Sequence, residues 1–219
     1  MARTLPRPIT YLITSGEAGA STRADGDGLR RLLALVGRAV EARVTLVQLR
    51  EKGLSARALY ELARGAARLA RGSATRVLVN DRADVARAAG CDGVHLTTRS
   101  LGAGVVRRAF GEEFLIGVST HAPAEARAAR DEGADFAVFG PVFDTPSKRA
   151  YGAAAGLEAL AGVARELSPF PVVALGGVDE GGAAEVLRAG AAGVAGIRLF
   201  ADGQNLARTV HLIESLRAG

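Results

Sequence analysis

VTLVQLREK, residues 44–52, joins an apolar run to three polar side chains within one short segment. Val44, Leu46 and Val47 are strand-type residues, and Gln48, Arg50 and Lys52 follow at intervals of two. In an extended chain that period places side chains on one face. An amide, a guanidinium and an ammonium are therefore expected to point the same way from the carboxyl end of a strand. Such a set suits a phosphate or pyrophosphate; taken alone, it suits ordinary surface charge on a solvated strand end as well. Ser55 then caps a helical pattern that runs to about Arg71. A strand with a polar end, followed by a capped helix, is the unit to look for elsewhere.

It recurs in both directions. Upstream lie a β-type run at 9–14 (ITYLIT), a loop at 15–28 containing Gly and Asp, and a Leu-rich helical pattern at 29–42. Downstream, strands are predicted at 76–80 (RVLVN), 93–96 (GVHL), 114–119 (FLIGVS), 136–140 (FAVFG), 171–175 (PVVAL) and 193–197 (GVAGI). Helices are predicted at 83–89, 100–110, behind the fifth strand, and at about 205–216, and a long Pro-, Gly- and Lys-bearing loop follows the sixth strand as far as Gly156. Eight strand-then-helix units predict a (β/α)8 barrel, one domain over 1–219, with its site at the strands' carboxyl ends. Periodicity alone does not close a barrel, and an open doubly wound sheet is the competing architecture. The special residues nevertheless fall where strands end: Gln48 to Lys52, Asn80 and Asp81, Thr97 to Ser100, Ser119 to His121, Pro141 to Lys148, Gly176 and Gly177, and Arg198. A closed barrel would bring all of them to one mouth.

Composition narrows the class. Of 219 residues 48% are hydrophobic but only 5% aromatic, with no Trp, so the core is built of Ala, Val and Leu. The single cysteine, Cys91, excludes an internal disulfide and is expected as a buried, inert thiol of a reducing cytoplasm. A net charge of +5 with arginines scattered along helices and no interleaved aromatics argues against nucleic acid and for an anionic substrate. No stretch reaches the ~18 consecutive apolar residues of a membrane span, so a soluble protein is expected. The helical faces offer no clear exposed apolar patch from which to read an oligomeric state.

Several residues suggest chemistry. Asp81, after an aliphatic strand, suits a Mg²⁺ ligand or an N-cap for the helix near Ala83. Thr145, Ser147 and Lys148 in the long sixth loop suit a phosphate cradle. Gly176, Gly177 and Gly196 allow backbone N–H groups to approach a phosphate, with Arg198 either clamping it or facing solvent. Among the histidines, His121 at a strand end has a claim to chemistry, whereas His95 and His211 are expected to be structural. No Ser-His-Asp order, paired cysteines or dinucleotide glycine fingerprint occurs.

VQLREK, VNDRADVA, DGVHL, IGVSTH, DFAVFGPVFDTPSK, GLEAL, PVVALGGV and AGAAGVAG resemble, in order and spacing, the thiamine-phosphate synthases and their relatives the thiazole tautomerases, over residues 11–200. The resemblance implies joining of a hydroxymethylpyrimidine diphosphate to a thiazole phosphate, through loss of pyrophosphate and capture of a pyrimidine cation by the thiazole nitrogen. It implies diphosphate contacts from Gln48, Arg50, Lys52, Asn80 and Lys148, a Mg²⁺ ligand in Asp81, and Ser119 near the pyrimidine. Thr145, Ser147 and Gly177 fall at the thiazole phosphate. Two departures stand out. HLTTRS puts Ser100 where synthases usually carry a second metal-binding aspartate, and Arg198 replaces a usual serine. Tautomerases also lack that aspartate and use a histidine that matches His121, so a metal-free isomerase is the alternative; a non-catalytic barrel binding the thiazole phosphate is a third.

Overall fold

The computed structural model describes residues 5–19, 22, 26–144 and 154–216. The strands are β1 (Ile9–Ile13), β2 (Leu46–Leu49), β3 (Arg76–Asn80), β4 (Gly93–Leu96), β5 (Leu115–Thr120), β6 (Phe136–Phe139), β7 (Val172–Leu175) and β8 (Gly193–Gly196). They alternate with α1 (Asp27–Glu41), α2 (Ala56–Ala70), α3 (Ala83–Ala89), α4 (Ala103–Phe110), α5 (Pro123–Asp131), α6 (Gly156–Leu167), α7 (Glu180–Arg188) and α8 (Leu206–Ser215). Each strand pairs in parallel with the next, and β1 pairs with β8 through Ile9 opposite Gly193 and Tyr11 opposite Ala195, so the sheet closes. That closure decides for the (β/α)8 barrel over an open sheet. No helix is long and apolar enough to cross a membrane among the described residues.

Most strand boundaries fall within a residue or two of those read from periodicity, because strands buried on both faces are continuous aliphatic runs. Helix starts deviate more. α1 begins at Asp27, two residues before the Leu-rich pattern, and α4 at Ala103, with the preceding residues turned back onto Asp81. A short 3₁₀ turn, Arg198–Phe200, follows β8 and was not expected. Ser55 caps α2 as expected, its Oγ accepting from Ala58 N at 3.2 Å. The α2 stripe Leu59, Leu62, Ala63, Ala66 and Ala70 is buried against the barrel.

Two apolar layers result. The outer one lies between strands and helices. The inner one fills the barrel with Ile9, Tyr11, Ile13, Leu46, Leu78, Leu115, Phe136, Val138 and Val173 among others. At its centre the Tyr11 ring lies 5.7 Å from the rings of both His95 and Phe136. Room for these rings comes from Gly117: a Cβ there would lie 2.3 Å from Phe136 Cζ and 2.9 Å from His95 Nδ1. Gly117→Ala is expected to cost about 1–3 kcal/mol, the usual range for overpacking, and to displace the His95 ring. Denaturant midpoints with a histidine-resolved NMR spectrum check both effects.

Candidate active site

The carboxyl ends of the strands carry a belt of polar side chains immediately above the inner core. From β2 to β5 the interior positions are Gln48, Asn80, His95 and Ser119, and the ladder registers Asn80 with His95 and His95 with Gly117. Their hydrogen bonds have a fixed sense. Asp81 Oδ2 accepts from Asn80 Nδ2 at 2.7 Å, which leaves Asn80 Oδ1 to accept from Gln48 Nε2 at 2.8 Å. A carboxylate only accepts, so it orients both amides in turn. The chain ends on Gln48 Oε1, a buried oxygen with no partner among the described residues, on a side chain only 2% exposed. An unpaired buried acceptor of this kind calls for a donor, and the second Nε2–H of Gln48 remains available to an acceptor.

Asp81 does not cap α3. The cap position is Arg82, with no side-chain cap hydrogen bond. Instead Asp81 Oδ1 accepts from Thr97 N at 3.2 Å, from Thr97 Oγ1 at 3.1 Å and from Ser100 Oγ. Its backbone is left-handed, φ 58°, a conformation that Asp tolerates better than most side chains. Ser100 thus acts as a hydroxyl donor to the Asp81 carboxylate.

Beyond Leu49 the β2 ladder ends, so strict alternation does not carry Arg50 and Lys52 onto one face as expected. Arg50 is half-buried; Lys52 lies exposed in a turn. What holds this turn is Glu51, which periodicity does not single out. It is 3% exposed and accepts from Gly16 N at 3.1 Å and Ala18 N at 2.9 Å. Thr14 completes the clasp, donating its N–H to Gln48 O at 3.0 Å and accepting Arg50 N–H at 2.8 Å. Gly16, at φ 81°, leaves space for the arginine: a Cβ there would lie 3.1 Å from Arg50 O and 3.2 Å from its Nη1. The signal available in sequence was a lone carboxylate between two cations.

On the opposite side, Gly176 and Gly177 bend the chain after β7 with φ of 99° and 69°. Side chains are excluded there by a packing requirement as well as by any anion. A Cβ on Gly176 would lie 2.6 Å from Pro141 Cα, and one on Gly177 2.7 Å from Phe143 Cβ. The root of the sixth loop is bonded to this bend through Val142 N to Leu175 O and Phe143 N to Gly176 O, both 2.9 Å. Gly196 is buried at the end of β8, and Arg198 is exposed in the 3₁₀ turn. Thr145, Ser147 and Lys148 lie outside the described residues. His121 is exposed after β5, its Nδ1 hydrogen-bonded to Gly140 O.

His95 is buried as expected but is not isolated from the mouth: Nδ1 meets Tyr11 OH at 3.1 Å and Nε2 meets Ser119 Oγ at 2.8 Å. Burial pushes its pKa down to about 4, with Asp81 opposing and Arg50 reinforcing the shift. His211, expected to be structural, is exposed on α8, and Cys91 is buried, its thiol pushed up to about 12 by burial.

The family model for thiamine monophosphate synthase matches residues 11–200. The chain belongs to that family. A Geobacter sulfurreducens relative is 52% identical over 168 residues, 77% of this chain and 78% of its own. The thiamine-phosphate synthase of Roseiflexus sp. (strain RS-1) is 37% identical over 220 residues, covering 96% of this chain and 89% of that protein. Among solved structures, thiamine phosphate pyrophosphorylase from Pyrococcus furiosus superposes with a TM-score of 0.75 at 30% identity, covering 94% of this chain and 96% of that one. As a thiamine monophosphate synthase family barrel, the chain carries its polar residues at the mouth where the fold class places active sites.

Two measurements test this account of the site. Glu51→Ala leaves two backbone N–H groups without their acceptor and is expected to destabilise by about 2–4 kcal/mol, read as a lower urea midpoint. For His95, the unfolded ring titrates near its ordinary 6.5 and the folded ring near about 4. The unfolded chain therefore binds the extra proton first, and stability is lost as pH falls from about 6.5 towards 4, by on the order of 3 kcal/mol in full. Urea unfolding at pH 7 and pH 5 is expected to show a smaller loss in His95→Gln than in the unsubstituted chain.

Proposed function

We infer that this chain is a thiamine-phosphate synthase, condensing hydroxymethylpyrimidine diphosphate with thiazole phosphate and releasing pyrophosphate. The observation that supports the reading is a cationic turn, Arg50 and Lys52, held to the loop after β1 by Glu51 between them, beside an uncharged hydrogen-bonding floor at Gln48 and Ser119. A diphosphate seated on the cations places its heterocycle over that floor. As the carbon–oxygen bond to the leaving pyrophosphate breaks, negative charge gathers on the leaving group, and prepositioned cations stabilise it more in the transition state than in the ground state. Arg50 suits this through its planar, bidentate donors, with Lys52 beside it and Lys148 assigned to the same group by resemblance. The electron-deficient pyrimidine is then captured by the thiazole nitrogen. The thiazole phosphate is assigned to the bend at Gly176 and Gly177, with Gly196, Arg198, Thr145 and Ser147 around it.

Magnesium fits this site as an ion shared with the substrate. Mg²⁺ is commonly held by one or two carboxylates together with substrate phosphates and water. Asp81 provides one carboxylate, and the oxygens of Thr97 and Ser100 beside it keep lone pairs. Bound there, the ion would add positive charge next to the leaving pyrophosphate. In this reading the chain works in the cytoplasm, which small phosphorylated substrates and a lone buried cysteine support.

Incubation with both substrates and Mg²⁺ is expected to yield thiamine phosphate and pyrophosphate in equal amounts. Arg50→Ala is expected to lower kcat/KM for the pyrimidine diphosphate by roughly 100-fold or more, as loss of a transition-state donor does. Absence of product from folded protein that binds the thiazole phosphate, or near-normal turnover by Arg50→Ala, would overturn the assignment.

A further inference from the structure

Tyr11 is completely buried, and among the described residues its hydroxyl has one partner, His95 Nδ1. His95 in turn has Ser119 Oγ at its other nitrogen. A neutral imidazole carries one donor and one acceptor, so only two arrangements connect the three groups. In one, Nδ1–H donates to the Tyr11 oxygen and Ser119 donates to Nε2. The phenolic proton then has no acceptor in an interior with no water-exposed surface, and burying an unpaired donor is what native structures avoid. In the other, Tyr11 donates to Nδ1, Nε2–H donates to Ser119 Oγ, and every buried proton has a place to go. The Ser119 hydroxyl has then accepted one bond, and its own proton is left pointing away from His95. The charged groups facing the ring are Asp81 and Arg50, of opposite sign, and Tyr11 presses on it neutral, its own ionisation pushed well up by burial.

We propose that Tyr11 and His95 are positioning residues that fix the Nε2–H tautomer and thereby make Ser119 a hydrogen-bond donor to the substrate. This rests on the reading above, in which Ser119 faces the pyrimidine. It also gives the floor a defined code. Gln48, oriented from Asp81, presents an acceptor; Ser119, oriented from Tyr11, presents a donor. A heterocycle whose edge offers an N–H and a ring nitrogen satisfies both, and one that offers only acceptors leaves Gln48 Oε1 unpaired.

The chain has three histidines, so ¹⁵N spectra of the histidine-labelled protein are assigned by replacing His121 and His211 in turn. The His95 ring is expected as the neutral Nε2–H tautomer without any substrate present. Tyr11→Phe is expected to lower kcat/KM for the pyrimidine diphosphate by about tenfold while leaving KM for the thiazole phosphate unchanged. His95→Gln, whose amide N–H can still donate to Ser119, is expected to retain more of that kcat/KM than His95→Leu. An Nδ1–H or doubly protonated His95 at pH 7 overturns the proposal, as does equal activity of the two His95 variants, or a Tyr11→Phe variant whose KM for the thiazole phosphate rises as well. The spectrum reads the tautomer whether or not thiamine phosphate forms, so failure of the synthase reading shows separately, as absent product from the unsubstituted chain.

Discussion

Closing eight parallel strands into a barrel uses up the sheet's edges, so backbone groups along the wall are paired with each other and not with a ligand. Recognition at the mouth therefore falls to side chains at the strand ends and to the few loops that bend sharply there. Those side chains emerge from a dry interior, where each polar atom needs a partner. The site is accordingly built as short strings of hydrogen bonds, each ending on an anchoring group. Asp81 anchors one as an acceptor. Tyr11 anchors another as a donor. Glu51 anchors a third, taking two N–H groups from the loop after β1.

Ser100, where the family resemblance leads one to expect an aspartate, fits this scheme. With Ser100 in place of an aspartate, the carboxylate of Asp81 is no longer facing a like charge but is bonded by hydroxyls and an amide. It gains donors where a second carboxylate would repel it, and it holds the left-handed bend at the end of β3 together. The same residue also sets the amides of Asn80 and Gln48, so the proposed Mg²⁺ ligand and the proposed heterocycle floor share one side chain.

The architecture was legible because aliphatic runs and helical stripes repeat with clear boundaries, and because strand ends coincide with unusual residues. Arg50, Ser119 and Asp81 were accessible by the same logic. Glu51, Tyr11 and His95 were not: each lies within or beside a strand, where a polar residue in an apolar run reads as an ordinary core member. Their importance depends on partners 35, 84 and 24 positions away in the chain. Asp81 reads in sequence as either a Mg²⁺ ligand or a helix cap, and only the cap position at Arg82 and the return of Thr97 and Ser100 to Asp81 remove the second. Lys52 was placed by extending an alternation that ends at Leu49. Gly176 and Gly177 were read for what they admit, while the structure adds what they make room for.

That last feature ties two regions mechanically. Because Pro141 and Phe143 lie closer than van der Waals contact to the positions where Gly176 and Gly177 would carry side chains, and Val142 and Phe143 are bonded to the same bend, the base of the sixth loop and the turn after β7 behave as a single hinge plate. Neither can be re-aimed without the other. A change that re-aims the turn after β7 is thereby transmitted to Pro141, Val142 and Phe143, so in this barrel the two segments are inherited together rather than tuned one at a time.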